Sequence, residues 1–337
     1  HHKLQILIEI CMYDISRECN KMLKVGSLFA NKGEKKQGLV EVYETGTAMP
    51  VTLINGINDG KTILITAGIH GVEYPCIQTA IELAQEINPK DVNGKIIIIH
   101  PVNTQSFKKK TSAVVPEDGK NINRIFPGDK NGTLAEQIGH FITYECQSKA
   151  DFYVDIHGGD LHELTTPFVY YPGIADEEII SASREIASIL DVKYMVKSGA
   201  KTGAYNSAAI RGLPSILIER GGRGLWNNQE VKEYKKDILT ILNHFDIIKD
   251  IKITKVNTEM ITDITKAIYL EADVDGCWYP RVSAGQRVEE GDILGEIKDF
   301  FGNILMTYYA EISGVVLYMT VSLSVESDEP LIAYGEC

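Results

Sequence analysis

Apolar, β-branched runs alternate with amphipathic stretches from about residue 61 onwards. Each run is short and is bounded by polar or turn-forming residues, which is typical of a β-strand. Several runs, such as KIIIIH, are apolar almost throughout. A strand of that kind is buried on both faces, so we expect a sheet with helices on either side. The predicted strands are residues 62–67, 95–100, 152–156, 168–171, 193–196 and 215–219.

The stretches between these runs place apolar residues three or four positions apart, which is the spacing of one helix face. Residues 77–87 show this spacing first. A second helix is predicted to begin near Thr133, because Glu136 follows three residues later and can close the first turn. Further helices are predicted at residues 176–190 and 231–248. Strands and helices in alternation predict an α/β fold with a sheet at its centre.

The pattern changes after about residue 255, where short alternating segments between Gly and Asp turns replace the helical spacing. We therefore predict two domains, residues 1–255 and a small all-β domain at residues 256–337. Within the second domain, RVSAGQRVEEGDILGEI and AEISGVVLYM resemble the hammerhead barrel of biotinyl and lipoyl domains. Those domains carry a cofactor on a lysine at a hairpin tip. The matching turn here, residues 300–303, holds no lysine, and Lys298 lies on the preceding strand side, so a structural cap is expected.

Composition and charge limit the kinds of partner. The 337 residues are 44% apolar and 24% charged, as in an ordinary globular protein. A formal net charge of -12 argues against nucleic acid or an anionic membrane, because phosphate binding needs a concentrated basic surface. The one basic run, residues 108–110, is typical of a solvated loop. A small-molecule substrate is therefore the expected partner, and self-association into a homo-oligomer stays open.

The sequence also predicts a location. It contains no run of about 18–20 apolar residues, the length that a membrane span needs. The early apolar run at residues 6–12 is interrupted by Glu9 and lacks the cleavage pattern of a signal peptide. The six cysteines are scattered without a CxxC pair, which indicates reduced thiols. We therefore expect a cytoplasmic protein.

Two histidines and a glutamate follow the ends of two predicted strands. His70 and Glu73 lie in GIHGVEYP directly after TILITA, and His157 lies in DIHGG after FYV. Two His and one Glu form a known catalytic zinc set, because three protein ligands leave one position to water. Asp155, two residues before His157, is a candidate to orient that imidazole through a hydrogen bond. These residues predict one Zn²⁺ per chain.

Two further segments add polar groups that a metal site could use. Glu219 ends the apolar strand of ILIERGG, where a carboxylate is costly unless it faces a polar cavity or a partner. The carboxyl ends of strands are where open α/β sheets place their ligand crevices. In NINRIFPG, Asn123 and Arg124 place an amide beside a guanidinium, which can bind a carboxylate with two hydrogen bonds.

GIHGVEYP, NINRIFPG, DIHGG and IERGG, in this order, resemble the succinylglutamate desuccinylase/aspartoacylase family of the zinc carboxypeptidase superfamily. The resemblance runs from about residue 45 to the C-terminus. It implies a carboxypeptidase-like α/β/α sandwich with a mixed sheet. It also implies a β-rich end domain that narrows the entrance of the active site, so that only small substrates enter. It also implies His70, Glu73 and His157 as zinc ligands, Glu219 as general base and acid, and the pair 123–124 as the substrate-carboxylate site.

One position departs from the family pattern. Relatives commonly carry an arginine in the loop before the Asn-Arg pair, where it stabilises the oxyanion, and Ser112 falls there in this chain. A hydroxyl does not replace a fixed positive charge, so Lys108, Lys110 and Arg223 are candidate substitutes.

The function predicted from these features is zinc-dependent hydrolysis of the amide of a small N-acyl amino acid or N-acyl diamine. Two alternatives stay open, a zinc metallocarboxypeptidase that acts on peptides and a catalytically weak zinc-containing binding protein, which Ser112 would favour. A serine hydrolase is disfavoured, because the chain has no G-x-S-x-G motif. Nucleotide use is disfavoured as well, since neither a P-loop nor a strand-linked G-x-G-x-x-G is present.

Overall fold

The structure of the protein is a computed structural model that describes residues 22–249 and 260–337. In these ranges the α-helices are α1 (Tyr74–Glu86), α2 (Thr104–Lys109), α3 (Leu134–Phe141), α4 (Glu177–Ser188), α5 (Ala204–Ile210) and α6 (Asn228–His244). The strands up to residue 222 are β1 (Leu23–Val25), β2 (Leu28–Ala30), β3 (Lys35–Glu41), β4 (Ala48–Asn55), β5 (Asn58–Ala67), β6 (Asn93–Ile99), β7 (Phe152–Ile156), β8 (Glu163–Pro172), β9 (Tyr194–Ser198) and β10 (Ser215–Gly222). The later strands are β11 (Thr262–Ile264), β12 (Ala267–Glu271), β13 (Gly276–Pro280), β14 (Arg287–Val288), β15 (Ile293–Lys298), β16 (Ile304–Tyr309), β17 (Gly314–Thr320), β18 (Ser324–Val325) and β19 (Pro330–Gly335).

The main sheet is mixed, with the order β3-β4-β6-β5-β7-β10-β8-β9-β11. Strands β6, β5, β7 and β10 run parallel to one another, whereas β4 and β8 run antiparallel to their neighbours β6 and β10. The prediction of an α/β fold with a mixed sheet is therefore confirmed.

Strand β6 shows why its sequence is apolar throughout. Ile96 and Ile98 point into a core formed with α1, α4 and α6, while Ile97 and Ile99 point into a second core with α3 and α5. Successive side chains of a strand face opposite sides of the sheet, so a strand between two helical layers must be apolar at every position. All four isoleucines are fully buried.

The predicted elements recur with different bounds. The predicted strand 62–67 is the second half of β5, and the predicted strand 168–171 lies within the longer β8. Helix α3 begins after Thr133, whose backbone N–H donates to Glu136 Oε2 at 2.7 Å. Helix α6 begins earlier than predicted, because the Asn227 side chain accepts hydrogen bonds from the N–H groups of residues 229 and 230.

The parallel direction of β5, β7 and β10 fixes where the candidate site residues lie. The three strands end side by side, with Ala67 paired to Ile156 and Ile156 paired to Ile218. The segments that follow them carry His70 and Glu73, His157, and Glu219. The topology therefore brings the three segments to one edge of the sheet, at the crevice that open α/β sheets use for ligands.

The chain beyond residue 260 consists of strands. Strands β12, β19, β17 and β14 extend the main sheet through pairing of β17 with β8, and β16-β15-β13-β18 form a separate four-stranded sheet around a core that includes Trp278. Strand β11 pairs in parallel with β9 of the main sheet. The predicted domain boundary at residues 255 and 256 lies outside the described residues, as does the early apolar run at 6–12. The likeness to biotinyl and lipoyl domains stays a prediction.

None of the helices within residues 22–249 and 260–337 combines the length and apolarity that a membrane span requires.

Candidate active site

A tight turn after β5 positions the first two candidate ligands. Gly68 has φ 72°, and a Cβ there would lie 2.6 Å from the Cβ of Pro101, so this close approach requires a glycine. Five residues later Glu73 caps α1, with Pro75 in the first turn, where its missing N–H costs no hydrogen bond. His70 and Glu73 consequently face the same cavity at the amino end of α1, and the Nδ1 atom of His70 lies 2.7 Å from Glu73 Oε1.

The structure brings all three predicted metal ligands together. His157 Nδ1 lies 3.2 Å from Glu73 Oε2, and the two imidazole rings are 5.0 Å apart, edge to face. One potential ligand atom from each of the three residues lies within 4.8 Å of the other two. Glu73 and His157 are 2% exposed, and His70 is half-buried, so the cluster opens to solvent on the His70 side.

The other nitrogen of each imidazole has its own partner. His157 Nε2 lies 2.9 Å from Asp155 Oδ2, and His70 Nε2 lies 3.0 Å from Asn121 Oδ1. The Asn121 oxygen also accepts a hydrogen bond from the N–H of Asn123 at 2.8 Å, which identifies it as the acceptor end of the amide. Both Nε2 atoms must therefore donate.

This proton arrangement tests whether a metal fits. With Nε2 protonated in a neutral imidazole, each Nδ1 presents a lone pair to the Glu73 carboxylate at 2.7 and 3.2 Å. The Nδ1 lone pairs and the carboxylate oxygens are all hydrogen-bond acceptors, so they repel one another at these distances unless a positive charge lies between them. Two imidazole nitrogens and a carboxylate oxygen form a donor set that suits Zn²⁺, with room for a further ligand on the exposed side. The residues present thus fit the zinc that the family implies.

The electrostatics of the cluster lead to the same conclusion. Burial alone would raise the pKa of Glu73, but the imidazoles of His157 and His70 outweigh it and lower that pKa to about 2. Burial alone would lower the pKa of His157, but the carboxylates of Asp155 and Glu73 raise it well above its ordinary value. The site therefore favours an ionised Glu73 and a concentration of positive charge beside it.

Buried hydrogen bonds hold Asp155 and His157 in place. Asp155 Oδ1 accepts from Thr66 Oγ1 at 2.7 Å, and Thr66 Oγ1 in turn lies 2.7 Å from the Tyr153 hydroxyl. The hydroxyl of Tyr234 on α6 donates to the backbone oxygen of His157. These contacts fix the strand end and the imidazole together, which is the usual role of groups behind a metal ligand.

Glu219 lies at the same edge of the sheet. It follows Ile218, whose carbonyl accepts the backbone N–H of His157 at 2.9 Å. Its Oε2 atom is shielded from solvent and has no hydrogen-bond partner among the described residues. Burial, with the nearby carboxylates of Glu73 and Glu163, raises the pKa of Glu219 well above its ordinary value, although His157 opposes this. A carboxyl group with a raised pKa and a free oxygen beside the His-Glu-His cluster is suited to proton transfer.

Asn123 and Arg124 lie on the 3₁₀ turn Ile122–Arg124, which Asn121 connects to His70. Asn123 Oδ1 accepts from the N–H of Ala204 at 3.0 Å, so the Nδ2 group is the end available to a ligand. Arg124 is exposed, and its charge acts on the hydroxyl of Tyr318, as do the charges of Glu163 and Glu219. The pair therefore lies on the wall of the same cavity.

Ser112 and Arg223 lie on loops, whereas Lys108 lies in the last turn of α2 and Lys110 follows its end, so the prediction of a loop for the basic run at 108–110 is wrong for its first two residues. The Ser112 hydroxyl donates to Asp160 Oδ2. Lys108 and Lys110 are exposed, and within the described residues no ion pair joins either of them to His70, Glu73 or His157. Arg223 is exposed too, with φ 61°, and its backbone N–H donates to the carbonyl of Glu163 at 2.8 Å. Whether any of these cations replaces an oxyanion arginine stays a prediction.

Four residues of the cavity were not singled out from the sequence. Asn121 lies two positions before Asn123 in NINRIFPG, and Asp160 follows DIHGG directly, so both were adjacent to recognised motifs. Glu163 lies six residues after His157, at the start of β8, and Tyr318 had no comparable signal, because β17 is brought next to β8 only by long-range pairing.

The fold and the site define a class, an α/β protein with a His-Glu-His cluster at the carboxyl ends of its parallel strands. The sequence profile of the succinylglutamate desuccinylase/aspartoacylase catalytic domain matches residues 59–245. The chain therefore belongs to the succinylglutamate desuccinylase/aspartoacylase family, which confirms the family prediction.

Individual relatives agree with this placement. An N-alpha-acetyl-L-2,4-diaminobutyric acid deacetylase of Halomonas elongata is 26% identical over 296 residues, covering 86% of this chain and 85% of the relative. A succinylglutamate desuccinylase of Shewanella putrefaciens is 23% identical over 58% of this chain and 59% of its own length. Among solved structures, the product-bound ectoine utilization protein of Ruegeria pomeroyi has a TM-score of 0.82 at 22% identity, covering 94% of this chain and 99% of its own. A succinylglutamate desuccinylase/aspartoacylase of Rhodobacter sphaeroides has a TM-score of 0.79 at 24% identity, with 90% and 95% covered. At these identities the two structures show the shared fold.

Proposed function

We propose that the protein is a zinc-dependent amidohydrolase that removes the acyl group from a small N-acyl amino acid or N-acyl diamine. The observation that carries the proposal is the pair of Nδ1 atoms facing the Glu73 carboxylate, with the unpartnered oxygen of Glu219 at the same edge of the sheet. Family membership supports amide hydrolysis, and the names of the Halomonas and Shewanella relatives support small N-acyl substrates.

His70, Glu73 and His157 would hold one Zn²⁺ per chain. When bound there, zinc supplies Lewis acidity towards the amide carbonyl and lowers the pKa of water. Asp155 and Asn121 keep the two imidazoles in the tautomer that leaves Nδ1 free to bind, because each accepts a hydrogen bond from an Nε2–H group.

Glu219 performs the proton transfers in this proposal. Its carboxylate accepts the proton that the attacking water loses, and the resulting acid donates a proton to the amine nitrogen as the amide bond breaks. The second proton of the water, left on the new carboxyl group, also passes to the amine, so the products are a carboxylate and an ammonium group, and atoms and charges balance. A raised pKa suits both steps, since the same group must bind and release a proton near neutral pH.

Arg124 and Asn123 position the substrate. The exposed guanidinium of Arg124 can bind a substrate carboxylate with two hydrogen bonds, and the Nδ2 group of Asn123 can add a third. An anchored carboxylate would hold the amide beside Glu219 instead of leaving it free to rotate.

The C-terminal strands favour a small substrate over a peptide. Tyr318 on β17 interacts with the charges of Arg124 and Glu219, and Tyr269 on β12 lies 3.1 Å from the hydroxyl of Tyr170 on β8. In this proposal the strands of residues 260–337 form part of the cavity wall, which would exclude long chains. We also propose that the chain has two domains, a catalytic domain at residues 1–255 and a barrel-like cap at residues 256–337. We propose further that the protein is cytoplasmic.

Hydrolysis of a panel of N-acetyl and N-succinyl amino acids and diamines tests the proposal. Zinc-loaded and chelator-stripped protein would be compared side by side, with release of free amine as the readout. We expect zinc-dependent turnover of at least one small substrate. We also expect that the enzyme does not cleave the C-terminal residue from any peptide in a control set. Bound zinc without turnover of any small substrate would contradict the proposal, and peptide cleavage would identify a carboxypeptidase.

A further inference from the structure

The hairpin of β15 (Ile293–Lys298) and β16 (Ile304–Tyr309) concentrates exposed apolar side chains. Six large apolar residues of this hairpin are 45% exposed or more, namely Ile293, Phe300, Phe301, Ile304, Leu305 and Tyr309. Tyr279 on the neighbouring strand β13 is 40% exposed and completes the set, which we call the hairpin patch. Single exposed apolar residues need no explanation, but a cluster of this size usually marks an interaction site.

The area of the hairpin patch is close to what one side of a stable protein interface needs. Phe300 and Phe301 lie at the tip of the hairpin and are 92% and 89% exposed, and Tyr309 and Tyr279 are 54% and 40% exposed. At ~200 Å² per aromatic side chain, these four rings alone present ~550 Å². A standard interface buries about 800 Å² on each partner. The aliphatic members of the patch supply the rest.

The backbone of the same hairpin has a free edge. Strand β16 is the outermost strand of its sheet, which has the order β16-β15-β13-β18. Within the described residues only β15 pairs with it, so the N–H and C=O groups on its other side have no strand partner. Residues 306–308 pair in unbroken register with β15, so the edge is regular there. An edge of this kind can add a strand from another chain.

The sequence of β16 lacks the features that normally protect an edge strand. The run NILMTYYA, residues 303–310, contains no charged residue and no proline. Strand β3, which lies at an edge of the main sheet, instead carries Lys35, Lys36 and Glu41. Charges at these positions prevent a second chain from pairing. Strand β3 is therefore suited to facing solvent, and β16 is suited to being covered.

The absence of charge in this run favours a second copy of the chain as the cover. A strand that pairs with itself around a two-fold axis places like side chains close together, so a charged strand would repel its own copy and an uncharged strand would not. The carboxylates nearest to β16 are already bonded. Glu296 Oε2 lies 3.0 Å from Arg281 and 3.4 Å from Lys298, and Asp299 accepts from the N–H groups of residues 301 and 303. A partner selected by charge would find little to recognise here.

We infer that β16 pairs antiparallel with β16 of a second copy, around a two-fold axis near Thr307, and that this pairing covers the hairpin patch. The two four-stranded sheets then form one continuous sheet across the dimer. The same surface is used on both copies, as two-fold symmetry requires. The inference does not depend on the proposed function, because no residue of the hairpin patch belongs to the candidate active site.

Sedimentation velocity of the full chain over a wide range of concentrations provides the first test. We expect a species of twice the 37.4 kDa chain mass at high concentration. A monomer at every concentration would overturn the inference. A monomer that sediments with phosphatidylcholine vesicles would overturn it as well, because a membrane surface would then cover the patch in place of a second copy.

Substitutions on the hairpin then locate the interface. The double variant Phe300→Ser/Phe301→Ser removes both rings at the tip, and Tyr309→Lys places a charge on the free edge. Each change occurs twice in the dimer, so each variant should raise the Kd of the dimer by ~30-fold or more. Circular dichroism should show unchanged secondary structure, because all three positions are exposed in the single chain.

Leu39→Lys is the matched control for these variants. Leu39 is 74% exposed on the edge strand β3, so it places the same charge on an edge that we expect to face solvent. Its dimer should dissociate with the Kd of wild type. An unchanged Kd in both hairpin variants, or an equal loss in Leu39→Lys, would contradict the inference.

Amide hydrogen exchange tests the edge of β16 directly. Residues 304–309 should exchange more slowly in concentrated wild-type protein than in the Phe300→Ser/Phe301→Ser variant, because pairing covers their free backbone groups. Residues 35–41 of β3 should exchange equally in both proteins. A dimer in which β16 exchanges as fast as in the variant would show that the contact lies elsewhere.

Discussion

Replacing Asp155 with Asn should weaken metal binding without unfolding the protein. Asp155 is fully buried, with Oδ2 at 2.9 Å from His157 Nε2 and Oδ1 bonded to Thr66. Asn has the same shape and still offers one oxygen, but it removes the negative charge behind the imidazole. His157 would then be held by a neutral amide, as His70 already is by Asn121.

The magnitude follows from this geometry. A carboxylate behind a metal-bound histidine typically contributes 10- to 100-fold to metal affinity, so we expect zinc to bind Asp155→Asn weaker by about 10- to 100-fold, or about 1.4–2.7 kcal/mol. The loss of zinc affinity should lie in the upper half of this range if the amide turns its NH₂ group towards His157. Nε2 would then have to accept a hydrogen bond, and the proton would move to Nδ1, the atom that binds the metal.

Competition with a fluorescent zinc chelator measures this change directly. Thermal melts of the metal-free proteins would confirm that the fold is retained. Asn121→Asp is the matched control, because it adds a carboxylate behind His70 and keeps the acceptor for Asn123, so its zinc affinity should equal or exceed that of wild type. Wild-type affinity in a folded Asp155→Asn protein would refute the reasoning.

Three further predictions concern other parts of the molecule. Glu219→Gln should keep zinc bound and lower kcat by about 10²- to 10⁴-fold, which single-turnover assays with metal analysis would check; near-normal turnover would exclude Glu219 as the base. Asp237→Ala should cost about 3–5 kcal/mol in urea unfolding, because it leaves the guanidinium of Arg220, 3% exposed, without its closest partner, whereas Glu233→Ala should cost less than about 1 kcal/mol; equal costs would contradict this. Burial lowers the folded-state pKa of His100 to about 4, so the unfolded chain binds more protons below its ordinary value of 6.5. The stability of metal-free protein should therefore decline as pH falls from about 6.5 to 4, and His100→Gln should decline less.

The central strands could be predicted from the sequence because a strand that is buried on both faces appears as an uninterrupted apolar run. Residues 96–99 of β6 are apolar at consecutive positions, as a strand that is buried on both faces requires. The helix after Thr133 was predicted for a similar reason, since Glu136 and Thr133 interact within one turn. Signals of this kind are local, so they can be read from neighbouring residues.

Strands at the edge and in the C-terminal region were harder to predict. Strand β3 buries only Val40 among its seven residues, because it lies at the sheet edge and one side of it is open. Strand β8 was predicted at less than half its length, since its first residues are polar and pair with β17, which lies about 150 residues later in the chain. Pairing over such a separation leaves no local pattern.

The site shows the same division. His70, Glu73, His157 and Glu219 were predicted because strand ends and motif order marked them, and the structure brings them to one edge of the sheet. Asn121 could not be assigned as a partner of His70, because its side chain reaches the imidazole from a different loop. The contact between Ser112 and Asp160 could not be predicted from the sequence either, because the two residues lie on different loops, although both are close to recognised motifs.

Titration of zinc into metal-free protein, with amine release from an N-acetyl diamine followed at each step, tests the central claim most directly. The account predicts that activity is absent without metal, rises linearly, and saturates at one zinc per chain in wild type. It also predicts that His157→Ala neither binds zinc at these concentrations nor gains activity. Activity that is independent of zinc, or a His157→Ala protein that titrates like wild type, would contradict the account.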